Sequence, residues 1–239
     1  LLELAEPKVR DGVWHHTTFR TEPLKRLQRT GLAAMVTVYG ARSQAEAMIQ
    51  GVVRAHDRVT GTTSEGEHYQ ANDPVLLDWV QATAGVGFME AYHRYVNPLS
   101  EVEREALFRE AVPAARLYGA TGAPASQAEW TLLLEYMRRR LVPSPVIIEF
   151  LDIMKQVEAL PRIANPLQVA LVKAAVELLP AWVRTRLAIG ADYRLSTPER
   201  MAVTFAAKTA DRLLLRSSPP VQACRRLGLP DDYLYRRAR

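Results

Sequence analysis

The chain has 239 residues, of which 48% are apolar and 24% are charged. This is the composition of a folded globular protein, and it excludes intrinsic disorder and fibrous or collagen-like structure. The 31 Lys and Arg residues and the 26 Asp and Glu residues leave a formal net charge of +5. Because this charge is spread over the chain without a concentrated basic and aromatic strip, no nucleic-acid partner is expected.

Cysteine usage and hydropathy bear on the compartment. Cys224 is the only cysteine in the sequence, so there is no internal disulfide and no cysteine cluster for zinc or iron-sulfur, which is typical of a reducing cytoplasm. The most apolar stretch, residues 166–183, is interrupted by Lys173, Glu177 and Pro180. No transmembrane span is therefore expected. The sequence begins without Met and without a signal peptide, and we expect an upstream segment to precede it.

Helix start signals recur along the chain. The capping-box pattern, Ser followed three residues later by Glu, occurs at Ser43, Ser100 and Ser126. A capping residue followed by Pro occurs at Asp73, Asn165 and Thr197. Reading from each start to the next Gly or Pro predicts helices at residues 2–15, 22–39, 44–60, 74–95, 101–118, 127–141, 145–159, 166–189 (bent at Pro180), 198–215 and 219–227.

Alternation with a period of two is essentially absent from the sequence. The predicted fold is therefore all-α, a single globular domain over residues 1–239 with about ten helices. Residues 61–73, GTTSEGEHYQAND, are rich in turn residues and are predicted to form a loop or a short hairpin.

His56 is a candidate metal ligand. In the helix that begins near Ser43, Ile49, Val52 and Val53 precede it by seven, four and three residues, so its ring projects from the apolar face. A buried neutral imidazole needs a hydrogen-bond partner or a metal. Taken alone, the pattern favours a core histidine bonded to a backbone carbonyl.

Polar and small residues form one stripe of the preceding predicted helix. Spacings of three and four residues relate Arg26, Arg29, Thr30, Ala33 and Thr37. Two guanidinium groups and a hydroxyl beside a small residue would bind an anion or line a polar pocket. The simpler interpretation is a solvated basic face, which the pattern by itself favours.

Other site motifs are absent from the sequence. There is no GxSxG elbow, no GxxxxGK[ST] loop and no GxGxxG after a strand, so the corresponding hydrolase, P-loop and Rossmann classes are excluded. The pair His15–His16 has no acidic residue at metal-ligand spacing, so no non-haem metal site is predicted. The arginine clusters at 138–140 and 225–226 stand near predicted helix C-termini, where cations oppose the helix dipole.

Three stretches carry a family resemblance. They read EPKVRDGVWHHTTFRTEPLKRLQRT from Glu6, VVRAHDRVTGTTSEGEHYQANDPVLLDWVQAT from Val52 and PLSEVEREALFREA from Pro98. In their order and spacing, residues 1–154 resemble the MpaB and latex-clearing-protein (rubber oxygenase) superfamily of haem-dependent oxygenases. Residues 155–239 resemble its variable helical end. The resemblance implies a helical domain that encloses a haem-sized pocket.

The resemblance also implies roles for individual residues. His56 aligns with the haem-ligating histidine and would be the proximal ligand of haem b. The family signature Arg-x-x-Lys-Thr, which lies over the distal face, aligns with Arg26, Arg29 and Thr30. The resemblance implies that these three residues are catalytic and that the two arginines also contact the cofactor. Arg26 would stabilise an iron-bound oxygen anion, and Thr30 would donate or relay a proton. His16 and Tyr69 align with second-tier pocket or structural residues.

Two positions depart from the family pattern. Arg29 stands where latex-clearing proteins have a distal lysine, and a guanidinium does not deprotonate to ligate iron as a neutral amine does. A lysine-closed resting state is therefore not expected; Arg29 would instead pair with a haem propionate or a bound oxygen species. Gln81, in WVQAT, stands where relatives commonly have histidine.

The expected function is that of a haem b-dependent oxygenase. It would activate dioxygen for C=C cleavage or oxygenation of an apolar, isoprenoid-like substrate. One alternative is a non-catalytic helical protein that binds an apolar ligand in the same cavity, since fold does not fix function. Another is a partner-binding module that uses the basic helix ends.

Overall fold

The computed structural model describes residues 1–236. Its helices in chain order are α1 Leu2–Ala5, α2 Pro7–His16, α3 Pro23–Tyr39, α4 Arg42–His56, α5 Pro74–Tyr95, α6 Glu101–Leu117, α7 Gln127–Met137, α8 Pro145–Gln156, α9 Asn165–Glu177, α10 Ala181–Arg186, α11 Thr197–Arg212 and α12 Pro219–Arg226. Short 3-10 helices span Arg162–Ala164, Ala191–Tyr193 and Tyr233–Tyr235. The chain is 68% helical, which confirms the all-α prediction. Residues 237–239, at the end of the predicted variable segment, lie outside the described residues.

Several predicted helix starts are confirmed by their caps. Ser100 and Glu103 form a reciprocal capping box at the start of α6. Asp73 accepts hydrogen bonds from two backbone amides of the first turn of α5. Ser126 caps α7 by accepting from the backbone N–H of Glu129. At these positions the local sequence determines where the helix begins.

The expected capping box at Ser43 is wrong. Helix α4 begins at Arg42 after Ala41, which gives no side-chain cap, and Glu46 instead accepts a 2.8 Å hydrogen bond from Nε of Arg42. Asn165 likewise does not cap α9, whose N-cap is Ala164. At Ser43 the predicted partner Glu46 pairs with Arg42 instead. At Asn165 a 3-10 turn precedes the helix, so the predicted capping residue lies inside it.

Several predicted boundaries also differ from the structure; for example, the helices predicted at 127–141 and 145–159 end at Met137 and Gln156. The first predicted helix is divided at Glu6, and the predicted helix 166–189 is two separate helices because Pro180 cannot continue the α9 hydrogen-bond ladder. Helix α11 is capped by Ser196, one residue before the expected Thr197, and ends at Arg212. Helix α4 ends at His56 and not near residue 60.

The predicted loop or hairpin at 61–73 is a short antiparallel hairpin. Strand β1, Thr60–Thr62, pairs with β2, His68–Gln70, in a register that places Gly61 opposite Tyr69. The hairpin connects α4 to α5. It therefore carries the chain from His56 directly to the start of the longest helix.

The main core lies on one side of the molecule. Trp79 of α5 is fully buried and stacks on Trp130 of α7, with ring centroids 5.8 Å apart. Buried side chains from α1, α2 and α5 to α10 surround this pair. Helices α3 and α4 stand outside that cluster: α3 buries none of its residues and α4 buries only Ile49. The two helices that carry the candidate residues thus pack on each other at the edge of the core.

The arginine clusters are engaged within the chain. Arg138 lies 4.7 Å over the ring of Trp182, and Arg140 donates to Glu6. Arg225 makes a two-point contact with Asp231 at 2.7 and 2.6 Å. These contacts give the clusters a structural role, which weakens the interpretation of the helix ends as a partner-binding surface.

Within residues 1–236, no helix is long and apolar enough to cross a bilayer.

Candidate functional site

His56 is held where α4 meets the hairpin. The backbone N–H of Asp57 donates to the carbonyl of Val53 (3.1 Å), and that of Val59 donates to the carbonyl of His56 (2.9 Å). From the far end of the hairpin, Nδ2 of Asn72 donates to the Val53 carbonyl (3.1 Å) and to Oδ1 of Asp57 (2.6 Å). These bonds close the helix at the histidine and fix the backbone from which its ring projects.

The ring of His56 is half-buried, and its Nδ1 is fully enclosed and unpaired. Burial lowers the pKa of His56 below its ordinary value, and the charge of Arg26 lowers it further. The nearby Asn72 amide and the charge of Asp57 raise this pKa but do not offset the effect of burial. The imidazole is therefore neutral at neutral pH, the form that ligates metals.

No backbone carbonyl among the described residues accepts a hydrogen bond from the ring of His56. The expectation of a core histidine bonded to a carbonyl is therefore wrong. Nε2 has no such partner and is not enclosed as Nδ1 is, so it lies on the solvent-accessible side of the ring, which is the open side of the site.

Arg26 lies close enough to His56 for their charges to interact. Its side chain is half-buried on α3, and burial lowers the pKa of the guanidinium, while Glu3 raises it and Arg29 lowers it. Within residues 1–236, no carbonyl or carboxylate accepts a hydrogen bond from it. A half-buried cation that lacks a hydrogen-bonded acceptor favours an anion.

The other two residues of the α3 signature are more exposed. Arg29 is exposed and repels Arg26 electrostatically. Thr30 is also exposed, and its hydroxyl donates to the carbonyl of Arg26 at 3.0 Å. The structure therefore places Arg26 within electrostatic range of His56 and places Arg29 and Thr30 one turn further along the same helix.

His16 and Tyr69 contact each other. Nε2 of His16 lies 3.1 Å from the hydroxyl of Tyr69, and the rings meet edge to face. Tyr69 is buried, and burial raises the pKa of its hydroxyl, with Asp11 adding to the effect. Gly61 makes room for the tyrosine, since a Cβ there would lie 2.5 Å from its hydroxyl oxygen. The contact between His16 and Tyr69 holds α2 against the hairpin that follows His56.

Two residues near the site carry no signal in a local motif. The charge of Glu3 in α1 raises the pKa of Arg26. The Glu3 carboxylate also accepts a 3.4 Å hydrogen bond from Thr83 of α5. Asn72 approaches the ring of His56 and holds the end of α4. Both residues are distant in sequence from the side chains that they affect, so no local motif reveals them. The Asn-Asp-Pro run before α5 marks Asn72 only as a turn residue.

Two helix faces near the edge of the core are apolar and exposed. On α3, Leu32, Met35 and Val38 are 58%, 40% and 69% exposed. On α5, Phe88 is 67% exposed, and a Cβ added at Gly85 would meet nothing within 4 Å. Exposed apolar area concentrated on single helix faces is typical of a surface that contacts a ligand or a partner.

Two cavities open elsewhere on the molecule. One, of about 330 Å³, is lined by Arg200, Met201, Thr204 and Phe205 on α11. The other, of about 210 Å³, lies between the hairpin and the α7–α8 loop, and its lining includes Glu6 and Arg140. Neither is lined by His56 or Arg26, so the haem-sized pocket implied by the family resemblance stays a prediction.

The sequence matches the family described as "ER-bound oxygenase mpaB/B'/Rubber oxygenase, catalytic domain" over residues 1–213. The matched family is one of oxygenase catalytic domains, and the chain belongs to this family. The match continues past residue 154 to the end of α11. No curated protein and no solved structure matches the chain significantly.

Proposed function

We propose that the protein is a haem b-dependent oxygenase in which His56 is the axial ligand of the iron. One observation carries the proposal. His56 presents a neutral imidazole whose Nε2 has no hydrogen-bond partner among the described residues, within electrostatic range of the half-buried guanidinium of Arg26. In a family of oxygenase catalytic domains, a haem would supply both the metal that this imidazole lacks and an anion for the arginine.

The residues present fit a haem in two respects. Nε2 of His56 is available to a metal, and the half-buried guanidinium of Arg26 suits a propionate. When bound, haem b supplies the iron chemistry that activates dioxygen. The protein would supply the iron ligand from His56 and a positive charge from Arg26.

The chain's own residues then have separate tasks. Arg26 would hold a fixed positive charge close to the bound group, because a guanidinium stays protonated in proteins. Thr30 holds a proton on Oγ1, which it donates to the Arg26 carbonyl and which rotation of the hydroxyl makes available to the site. Arg29 adds a second cation at the exposed rim, suited to a propionate.

The substrate class is the one that the family description suggests. We infer an apolar, isoprenoid-like substrate that undergoes oxygenation or cleavage at a C=C bond. Removal of its apolar surface from water would drive the binding of such a chain. The second substrate is dioxygen.

A second candidate function is the non-catalytic binding of an apolar ligand. It is favoured by the departures at Arg29 and Gln81 and by the apolar exposure of α3 and α5. On this alternative the protein would keep the fold and the apolar faces without redox chemistry.

Haem content separates the two functions. Protein expressed with a haem precursor is expected to show a Soret band and about one haem per chain by the pyridine haemochrome assay. His56→Ala is expected to lose the band or to retain haem weakly. His15→Ala, an exposed histidine of α2, is the matched control and should behave as wild type. A colourless protein that refuses added haemin would favour the ligand-binding alternative.

A further inference from the structure

We propose that Asn72 is a positioning residue that fixes the tautomer of His56, so that Nδ1 carries the proton and Nε2 presents its lone pair to the metal. The inference deepens the proposed function and rests on it for the identity of the metal. The tautomer itself is a property of the protein alone, and it is measurable without haem.

The orientation of the Asn72 amide is determined by its neighbours. Nδ2 donates to the carbonyl oxygen of Val53 at 3.1 Å and to Oδ1 of Asp57 at 2.6 Å. A carbonyl and an ionised carboxylate only accept hydrogen bonds. The NH₂ end of the amide must therefore point at these two groups, which leaves Oδ1 at the opposite end.

That remaining oxygen and the imidazole are each buried without a partner. Oδ1 of Asn72 and Nδ1 of His56 are both enclosed and unpaired, and the two side chains are close enough for the amide to favour the protonated ring. Because an amide oxygen only accepts, a ring nitrogen that pairs with it must donate. A hydrogen bond from Nδ1–H to Oδ1 would satisfy both buried atoms, each of which costs about 1–3 kcal/mol when left without a partner.

The consequence lies at the other ring nitrogen. A neutral imidazole with its proton on Nδ1 has a free lone pair on Nε2, and Nε2 faces the open side of the site. Hydrogen bonding at the distant nitrogen sets the ring orientation and the basicity of a histidine ligand, and loss of such a partner typically costs 10–100-fold in metal affinity. Through this hydrogen bond, Asn72 would connect the His56 ring to the hairpin.

The first test is the tautomer in the full chain before haem is added. Long-range ¹⁵N–¹H correlation spectra of the imidazoles are expected to show a protonated Nδ1 and an unprotonated Nε2 for His56, assigned by its loss in His56→Ala. In Asn72→Leu the Nε2–H form should become populated. A wild-type His56 with its proton on Nε2, or an Asn72→Leu variant with the wild-type tautomer, would overturn the proposal.

A matched control separates positioning from structural support. The exchange variant Asn72→Asp with Asp57→Asn removes the Nδ2 donor to the Val53 carbonyl but keeps an acceptor oxygen at position 72, so it should keep the wild-type tautomer. If Asn72 acted only as a clamp on α4, the exchange variant and Asn72→Leu would change the ring alike. That result would contradict the proposal even if both variants stay folded.

The second test measures haem binding. Asn72→Leu is expected to bind haemin about 10–100-fold more weakly than wild type, with a more positive reduction potential because the ligand becomes less basic. The exchange variant Asn72→Asp with Asp57→Asn places a carboxylate at Nδ1 and should lower the potential. Equal potentials in all three proteins would overturn the role of Asn72. Failure of wild type to bind haem, with the tautomer as expected, would instead count against the proposed function.

Discussion

Glu6 is 1% exposed, and its carboxylate accepts a 2.7 Å hydrogen bond from Arg140, which is 134 residues later in the chain. Its other oxygen caps α2 by accepting from the backbone N–H of Val9 at 2.8 Å. Beside it, the N–H of Val142 donates to the carbonyl of Ala5. One buried carboxylate thus divides α1 from α2 and anchors both to the α7–α8 loop.

We expect Arg140→Met to destabilise the protein by about 2–3 kcal/mol, because it leaves the buried Glu6 carboxylate without its counter-charge. Urea unfolding at neutral pH measures the loss. Arg139→Met, at the adjacent exposed arginine, should cost less than about 0.5 kcal/mol. The double variant Glu6→Gln with Arg140→Met should recover part of the stability. Equal effects at the two arginines would show that the ion pair is not structural.

The start of α6 was predictable from the sequence, whereas the end of α4 was not. The Ser100–Glu103 capping box lies within four residues, so the local pattern contains all of the information. Helix α4 ends at His56, where Asn72 from beyond the hairpin donates a hydrogen bond to the carbonyl of Val53. A helix-period pattern does not contain a contact that depends on how a later hairpin folds back.

The same distinction applies to the site. Side-chain spacing placed Arg26, Arg29 and Thr30 on one stripe, and the structure keeps them on one helix. The spacing did not distinguish the half-buried Arg26 from the exposed Arg29, since that difference depends on α1 and α4 packing near one of them. Asn72 was missed for the same reason: its partners are tertiary.

Gly61 is expected to be intolerant of a side chain. A Cβ there would lie 2.5 Å from the hydroxyl oxygen and 2.6 Å from Cζ of Tyr69, and Tyr69 is too buried to move freely. Gly61→Ala should therefore cost about 1–3 kcal/mol and break the contact between Tyr69 and His16. Gly31→Ala, where nothing lies within 4 Å, should instead stabilise α3 by about 0.5–1 kcal/mol. Thermal unfolding compares the two, and a stabilising Gly61→Ala would contradict the packing.

Arg29→Lys tests the distal position under the proposed function. An amine at this position is able to deprotonate and ligate iron, so the haem-bound variant should acquire a low-spin spectrum as the pH rises toward the ordinary lysine pKa of about 10.4. Wild type should not change in this way because its guanidinium stays protonated. Arg42→Lys, at an arginine that is 91% exposed at the start of α4, is the control. A pH-independent spectrum of Arg29→Lys would show that this position does not face the iron.

Glu199 joins α9 to α11, and its contribution to stability depends on pH. Its carboxylate accepts hydrogen bonds from Lys173 of α9 (2.6 Å) and from the backbone N–H of Ser196 (2.7 Å). The Lys173 ammonium and the Ser196 donors lower the pKa of Glu199 from 4.5 to about 2. Because the folded-state pKa is lowered, the stabilisation is fully present above about pH 4.5 and is lost as the pH falls toward 2.

We therefore expect Glu199→Gln to be less stable than wild type at pH 7. The lowered pKa corresponds to about 3 kcal/mol at most, and solvent screening around a side chain that is 27% exposed reduces the expected difference to about 1–2 kcal/mol. Urea unfolding at a series of pH values should show a constant difference above pH 4.5 that shrinks below it. Glu110→Gln, at an exposed position of α6, should show no such dependence. A difference that persists unchanged near pH 2 would mean that packing, and not the charge of Glu199, couples α9 to α11.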